Sequence, residues 1–210
     1  MFRKDILVAA AAALLFFPLF PAQRAGRVDF WWGMSAAVAA AAALSFAADR
    51  AYLKVLAGDW RSARWKKVFF GAVTAAALYL IFIGFAQLSG IVFPSAPADI
   101  ERVYAFKARV SPVRVGLLIL LLIGPGEEVT WRGFLQRHWE ERWGFPAGWL
   151  LAATLYTAVH LGSGNMMLVL AAAAAGLFWG YLYHRFRSVL LNAVSHTLWD
   201  LVIFLVLPVA

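Results

Sequence analysis

The chain contains no cysteine among its 210 residues. A disulfide framework, a thiolate nucleophile and a cysteine-ligated metal are therefore excluded. Charged residues are also scarce, at 14%, whereas 63% of the residues are hydrophobic and the mean hydropathy is +0.75. A soluble domain is typically about half apolar and about a quarter charged. The composition therefore predicts an all-α fold, a polytopic transmembrane helical bundle surrounded by the lipid bilayer.

Acidic residues are outnumbered, with 11 Asp and Glu against 19 Lys and Arg, which gives a formal net charge of +8. A basic chain is compatible with nucleic-acid binding. In a membrane protein, however, Lys and Arg collect in the cytoplasmic loops and fix the orientation of the spans. We therefore expect no nucleic-acid partner.

Long apolar runs predict about seven membrane spans, since a span needs about 20 apolar residues. The first run is short enough to be a cleaved signal peptide, but no clean small-x-small cleavage site follows it, so we expect a retained span. The fourth span is expected to bend or break at "GPG". The loop 94–112 is expected to hold a short surface helix. The predicted spans are 6–20, 30–48, 68–93, 113–123, 146–161, 166–183 and 189–207.

With seven spans and the N-terminus in the cytoplasm, 13 of the 19 Lys and Arg lie on the cytoplasmic side. The positive-inside rule therefore favours a cytoplasmic N-terminus and an external C-terminus. In this orientation we expect the motif-bearing helices to open toward the cytoplasmic half of the membrane.

Few strongly polar side chains remain at membrane depth, and all of them lie in the second half of the chain. Ionisable groups inside a membrane face the bundle interior and indicate a functional site. We therefore divide the chain into N-terminal spans and loops at 1–112 and a catalytic membrane core at 113–210. The polar residues are Glu127, Glu128, Arg132, His160, Asn192, His196 and Asp200.

The segment "GPGEEVTWRGF" places two adjacent carboxylates and an arginine on one helix. Residues four apart share a helix face, so Glu128 and Arg132 are expected to pair. Glu127 is rotated by about 100° from Glu128, which leaves it freer for chemistry. The alternative is a single structural ion network formed by all three.

Two further segments carry histidines. In "LYTAVHL", Tyr156 and His160 lie one turn apart, and His160 is either functional or a hydrogen-bonded packing residue. In "NAVSHTLWD", Asn192, His196 and Asp200 form one polar stripe at a spacing of four residues. This stripe is either part of a site or a hydrogen-bonded seam between helices.

Together, the carboxylates and histidines of these three segments can polarise a water molecule. A carboxylate would act as the base, and a histidine would donate to an oxyanion. Glu127, His160 and His196 could instead hold a divalent metal such as zinc. An HExxH zinc motif is absent from the sequence. Asp200 is the only aspartate within a predicted span, so an aspartyl dyad is excluded.

The segments "EEVTWRG", "YTAVH" and "HTLWD" resemble the three motifs of the intramembrane protease family that contains the CAAX prenyl endopeptidases and the bacteriocin-processing or immunity proteins (the CPBP, or Abi-like, family). The family pattern is Glu-Glu-x-x-x-Arg, then Phe-x-x-x-His, then His-x-x-x-Asn or Asp. The resemblance covers about residues 115–205. Tyr156 stands where Phe is commoner, and Asp200 ends the third motif.

The resemblance implies an endopeptidase that hydrolyses a peptide bond inside the membrane. Glu127 with His160 would activate the water, and His196 with Asp200 would bind the oxyanion or orient the scissile carbonyl. An ionised Asp200 would repel an oxyanion, so it must be protonated, or hold a histidine or a metal. The resemblance does not decide whether zinc is used. Supporting roles would fall to Glu128, Arg132, Asn192 and Tyr156.

The alanine- and arginine-rich composition is typical of a bacterium with a GC-rich genome, which indicates the inner membrane. Prenylated substrates are not expected there. A membrane-anchored sorting tail, a signal remnant or a leader peptide is the expected substrate class. The alternative is a non-catalytic relative that acts as an immunity or scaffold protein. A transporter would require paired symmetric halves, whereas the intramembrane charges lie in one half only.

Overall fold

The computed structural model describes residues 4–108 and 110–209, which form helices joined by short connections, with no strand among them. The α-helices are α1 Lys4–Phe16, α2 Leu19–Arg24, α3 Phe30–Ala48, α4 Tyr52–Arg61, α5 Arg64–Val92, α6 Ala96–Tyr104, α7 Pro112–Leu118, α8 Gly124–Glu128, α9 Arg137–Trp143, α10 Phe145–His160, α11 Met166–Phe186 and α12 Val189–Leu201.

The predicted helical membrane bundle is confirmed. Five helical segments of the described chain are long and apolar enough to cross a membrane. The predicted fourth and fifth spans are helical too, in α7 with its continuation and in α10, whose 16 residues are shorter than a usual span. The five segments are Lys4–Arg24, Phe30–Ala48, Arg64–Val92, Met166–Phe186 and Val189–Val206.

Of the two alternatives expected at Gly124, Pro125 and Gly126, a break is wrong, because the helix continues without interruption from Pro112 to Trp143, whereas a bend stays a prediction. Two π-helical segments, Ile119–Ile123 and Val129–Gln136, flank α8 within it. A proline lacks an N–H group and clashes with the carbonyl four residues earlier in a regular α-helix. The wider π turn before Pro125 accommodates it, and such π segments are frequent at functional sites.

Glycines allow the motif helix to approach its neighbours closely. A Cβ on Gly124 would overlap the hydroxyl of Thr197 on α12, and a Cβ on Gly133 would overlap the hydroxyl of Tyr52 on α4. That Tyr52 hydroxyl donates to the carbonyl of Val129 at 2.8 Å. The glycine after the first motif therefore has a packing role, of the kind that small residues have between membrane helices.

The hydrophobic core draws side chains from both halves of the chain. Phe16 of α1 lies 5.5 Å from Trp131 of the motif helix, and Trp131 lies 5.4 Å from Tyr156 of α10, measured between ring centroids. A second cluster joins α5 to α12 through Phe82 and Trp199, whose rings are 4.7 Å apart. The N-terminal helices thus pack directly against the elements that carry the motifs.

One end of the bundle, formed by α4, α9 and the turn at 184–188, is here called the basic end. Ion pairs tie its elements together, including Arg137 with Asp49 at 2.5 Å and Arg187 with Glu140 at 2.6 Å. Burial alone would raise the pKa of Asp49, but the hydrogen bond and charge of Arg137 bring it below its ordinary value. Asp49 is therefore held as a carboxylate that anchors the end of α3 to α9.

The opposite end, here called the α6 end, contains the turns at 24–30 and 161–165, α6 and the segment 207–209. The predicted short helix of the loop 94–112 is present as α6. Asn165 donates to the carbonyl of Asp99 at 2.7 Å, and the Val209 amide donates to the Tyr104 hydroxyl at 2.9 Å. These bonds hold α6 against the bundle.

The orientation of the bundle gives a testable prediction. Reporters fused after Trp143 and after Arg187 should both read as cytoplasmic, because both positions lie at the basic end and Lys and Arg are retained on that side. A reporter after Ala108, at the α6 end, is the control and should read as external. Paired alkaline phosphatase and green fluorescent protein fusions measure this. An external signal after either Trp143 or Arg187 would contradict the seven-span orientation.

Candidate active site

All three motifs contribute to one cavity of about 150 Å³ within the bundle. Glu127 reaches it from α8, His160 from the end of α10, and His196 and Asp200 from α12. The structure therefore brings together the four residues for which a catalytic role was predicted. Their roles in a reaction stay predictions, whereas their shared location is a property of the fold.

Glu128 is the most completely paired carboxylate of the site. It is fully buried, and its Oε1 accepts from Arg132 Nη1 at 3.0 Å and from the His196 Nδ1 at 2.8 Å. Its Oε2 accepts from the Asn192 side-chain amide at 3.2 Å. The predicted pairing of Glu128 with Arg132 is confirmed. One carboxylate thus links two motif helices, which fits a structural role.

Arg132 is also buried, with 2% of its surface exposed. Its guanidinium lies 4.7 Å from the ring centroid of Tyr156 and 5.5 Å from that of Trp179. Aromatic faces attract a cation electrostatically, and the attraction is stronger where water is excluded. The arginine is therefore stabilised by a carboxylate and by two aromatic rings in place of solvent.

Glu127 differs from Glu128 because one of its oxygens is unpaired. Its Oε2 accepts from the Tyr156 hydroxyl at 3.4 Å and lies 3.5 Å from the His196 Nε2. Its Oε1 is buried and has no hydrogen-bond partner among the described residues. Buried carboxylate oxygens are normally hydrogen-bonded, so such an atom requires an explanation. Because Glu127 lines the cavity, a bound water or substrate group would supply the missing partner.

His196 is held in one orientation by three contacts. An ionised Glu128 can only accept a hydrogen bond, so the His196 Nδ1 must donate to it. The Nε2 atom then faces the Glu127 Oε2 and the Asp200 Oδ2, each 3.5 Å away. The ring stacks on Trp179 at 3.8 Å between centroids with an interplanar angle of 23°. A single ring nitrogen is therefore directed at two carboxyl groups.

His160 lies on the cavity wall but apart from this group. Its Nδ1 donates to the backbone carbonyl of Tyr156 at 2.7 Å, since a carbonyl can only accept. In the neutral ring this leaves Nε2 as an acceptor. No hydrogen bond or ion pair within the described residues joins His160 to Glu127 or to His196. Of the two histidines, His196 is therefore the one that lies next to Glu127.

The sequence also suggested a metal site formed by Glu127, His160 and His196. In the part of the chain that the structure describes, no group of three or more His, Asp and Glu is arranged to hold a metal ion. The Nδ1 atoms of His160 and His196 both face protein acceptors, which leaves each Nε2 available as a ligand. Metal binding by Glu127, His160 and His196 stays a prediction.

Sequence reasoning missed the apolar and aromatic part of the site. Trp179 of α11 carries the His196 ring and accepts through its carbonyl from Asn192 at 2.7 Å. The first half of the chain lines the cavity with Phe20, Phe30 and Trp31. In the sequence, this aromatic lining is visible only as Trp179 in an alanine-rich span and as the aromatic cluster "FWW" at 30–32. Neither pattern differs from ordinary packing in a membrane helix.

The cavity extends toward the α6 end, because Val103 and Tyr104 of α6, Met167 of α11 and Phe204 all line it. With the N-terminus in the cytoplasm, this end faces away from the cytoplasm. The expectation that the motif helices open toward the cytoplasmic half is therefore wrong in that orientation. The error arose because charge in the flanking loops shows where a helix ends, but not in which direction a cavity opens.

The buried ion pair gives a prediction on stability. Arg132→Ala should destabilise the protein by roughly 3–5 kcal/mol, because it leaves Glu128 buried without its cation. Arg27→Ala, at an exposed position, is the control and should change stability by no more than about 0.5 kcal/mol. Thermal unfolding of the purified protein in detergent, with the yield of folded protein, measures both. Equal melting temperatures for Arg132→Ala and Arg27→Ala would contradict the account.

Comparison with known proteins gives one match, over the part of the chain that carries the three motifs. Residues 109–202 match the family described as Type II CAAX prenyl endopeptidase Rce1-like. No curated protein and no solved structure matches the chain. The matched segment covers slightly less than half of the chain and contains all three motifs. Over this segment the chain is similar to the CAAX endopeptidase family, and its long apolar helices make it an integral membrane protein.

Proposed function

We propose that the protein is an intramembrane endopeptidase in which Glu127 activates a water molecule to hydrolyse a peptide bond. The observation that carries this proposal is the unequal environment of the two Glu127 oxygens. Oε2 is held by Tyr156 and faces His196, whereas Oε1 is buried and unpaired, on a residue that lines the cavity. A general base needs one oxygen fixed in position and one oxygen free for the proton that it abstracts.

The first step is deprotonation of the water. Glu127 Oε1 accepts one proton while the water oxygen attacks the carbonyl carbon of the scissile bond. His160, which also lines the cavity, supports this step, since its Nε2 is left to accept a hydrogen bond from the water. In this step His160 orients the water and Glu127 takes its proton.

The second step is stabilisation of the oxyanion that forms on the attacked carbonyl. His196 donates through Nδ1 to Glu128, so in its imidazolium form, which the neighbouring carboxyl groups favour, Nε2 carries a proton that it can donate to the oxyanion. Asp200 lies next to that nitrogen and, in its protonated form, is a second donor. Stacking on Trp179 fixes the ring before substrate binds, and such preorganised donors cost no reorganisation during the reaction.

The third step is collapse of the tetrahedral intermediate. The carbon–nitrogen bond breaks, and the proton held by Glu127 passes to the leaving amine. The products are a new carboxyl terminus and a new amine, and Glu127 returns to its starting state. The water supplies all the atoms that the products gain, so the step requires no further reactant.

The lining of the cavity indicates the class of substrate. Around the polar group it consists mainly of aromatic and aliphatic side chains, including Phe82, Phe85, Ile100 and Trp199. Such a cavity fits an apolar peptide segment and not a charged one, because burial of an unpaired charge is costly. A membrane-anchored protein or leader peptide meets this requirement. No preference for a prenyl group is proposed.

Replacement of the base provides the direct test. Glu127→Gln should lower the cleavage rate by about 10²–10⁴-fold, because the amide is close to isosteric but does not accept the proton. Comparing the membrane peptidomes of cells with the wild type and with Glu127→Gln identifies the substrate as a full-length species that accumulates in the variant. The matched control is Glu141→Gln, whose side chain is 64% exposed at the basic end.

The Glu127→Gln variant should keep the wild-type level and melting temperature, so that loss of cleavage reports chemistry and not folding. Identical peptidomes of the wild type and the variant would contradict the enzyme. A phenotype that persists unchanged in Glu127→Gln would favour the non-catalytic immunity or scaffold function instead.

Variants of Asp200 distinguish a mechanism in which Glu127 alone activates the water from one that uses zinc. Asp200→Asn should keep most of the activity, because the amide still donates next to His196, and chelators should have no effect. Asp200→Leu is the control, which removes the donor and should lose activity. The measurement is cleavage of a substrate identified in the peptidome, with and without chelator. Loss of activity in Asp200→Asn, with inactivation by chelator and recovery with zinc, would establish a metal enzyme.

A further inference from the structure

The basic end carries a group of exposed cations on and beside α4. None of them has an ion pair or hydrogen bond with another residue in the described parts of the chain. The nearby acids are already neutralised, since Asp49 pairs with Arg137 and Asp59 pairs with Lys67 at 2.7 Å. The group, here called the α4 patch, consists of Arg50, Lys54, Arg61, Arg64 and Lys66.

One face of α4 is fixed to the bundle. Tyr52 is fully buried and donates to Val129, and Leu56 packs against the main hydrophobic cluster. Asp59 accepts from the Leu190 amide at 2.8 Å at the start of α12. These positions are spaced by four and three residues, so they share one face of the helix. Lys54 and Arg61, seven residues apart, lie on the opposite face, away from the bundle.

An apolar flank lies between these two faces. Leu53 and Trp60 are seven residues apart and are both 55% exposed, and Trp65 is 74% exposed at the start of α5. The Arg64 guanidinium lies 4.9 Å from the Trp65 ring centroid. Tryptophan is enriched where membrane meets water. A helix with an apolar flank and a basic face is typical of a helix that lies in the membrane interface.

We propose that the α4 patch binds the phosphate groups of anionic phospholipids in the leaflet at the basic end. Clusters of four to eight Lys and Arg next to a membrane span attract anionic lipid. The exposed tryptophans distinguish this partner from a soluble acidic protein or a nucleic acid. They need an apolar phase beside the basic groups, and a lipid leaflet supplies the apolar phase and the phosphates together.

Lipid binding at this surface is connected to the motif helix. The Tyr52 hydroxyl bonds the carbonyl of Val129, the residue that follows Glu128. Anionic lipid that holds α4 in place therefore also steadies the π-helical segment beside the two glutamates. The proposal does not depend on peptidase activity, since both its binding and its stabilising effect are measured without a substrate.

The experiment uses the full chain in phosphatidylcholine vesicles that contain spin-labelled phosphatidylglycerol or spin-labelled phosphatidylcholine. Electron paramagnetic resonance measures the fraction of each labelled lipid that the protein immobilises. We expect the wild type to prefer phosphatidylglycerol over phosphatidylcholine by at least about threefold. A single fully engaged cation contributes a preference of roughly fivefold, so this minimum requires only partial engagement of the patch. Raising the salt from 50 to 500 mM should reduce this preference, because exposed charges are then screened.

The test variant is Lys54→Gln/Arg61→Gln/Arg64→Gln/Lys66→Gln, in which every altered side chain is exposed. It should bind both lipids equally, with an unchanged circular dichroism spectrum. In wild type, adding phosphatidylglycerol should raise the melting temperature, and in this variant it should not.

The control is Arg27→Gln/Arg102→Gln, which removes charge from the α6 end and should keep the wild-type preference. Equal binding of the two lipids by the wild type would overturn the proposal. An unchanged preference in the test variant, or its loss in the control, would also overturn it, because the selectivity would then come from elsewhere.

Discussion

The site depends on the buried carboxylate of Glu128. It accepts hydrogen bonds from Arg132 on its own helix and from His196 and Asn192 on α12. A carboxylate taken out of water is strongly unfavourable unless all of its lone pairs are satisfied. These partners therefore fix how the first and third motifs meet. Because this glutamate already accepts three hydrogen bonds, the proposed catalytic function is assigned to its neighbour, Glu127.

The same constraint explains how an apolar bundle presents a reactive group. Glu127 and Glu128 are adjacent, so the helix directs them about 100° apart. One carboxylate reaches the polar contact between helices and the other reaches the cavity. The π-helical segments on either side of α8, and the glycines that contact Thr197 and Tyr52, allow this helix to lie unusually close to α4 and α12. The backbone and the ion pair thus act together to position one free oxygen.

The sequence was sufficient for the helical bundle, the three motifs and the Glu128–Arg132 pair, because apolar runs and helical spacing are local properties. Three features were not accessible from it. The continuity of the helix through Pro125 depends on a π turn that no residue pattern marks. The proximity of His196 to Glu127, and the distance of His160 from both, depend on packing between helices. The aromatic wall from the first half looks like any lipid-facing helix, since apolar side chains serve both purposes.

The central claim is that Glu127 presents one free oxygen to a water inside the membrane. The most direct measurement is an experimental structure in lipid at a resolution that shows ordered water. The account predicts a water about 2.6–3.2 Å from Glu127 Oε1, the range for a general base and its proton donor, with Oε2 still held by Tyr156. A structure in which protein groups occupy both oxygens of Glu127, or in which this side chain faces lipid, would contradict it.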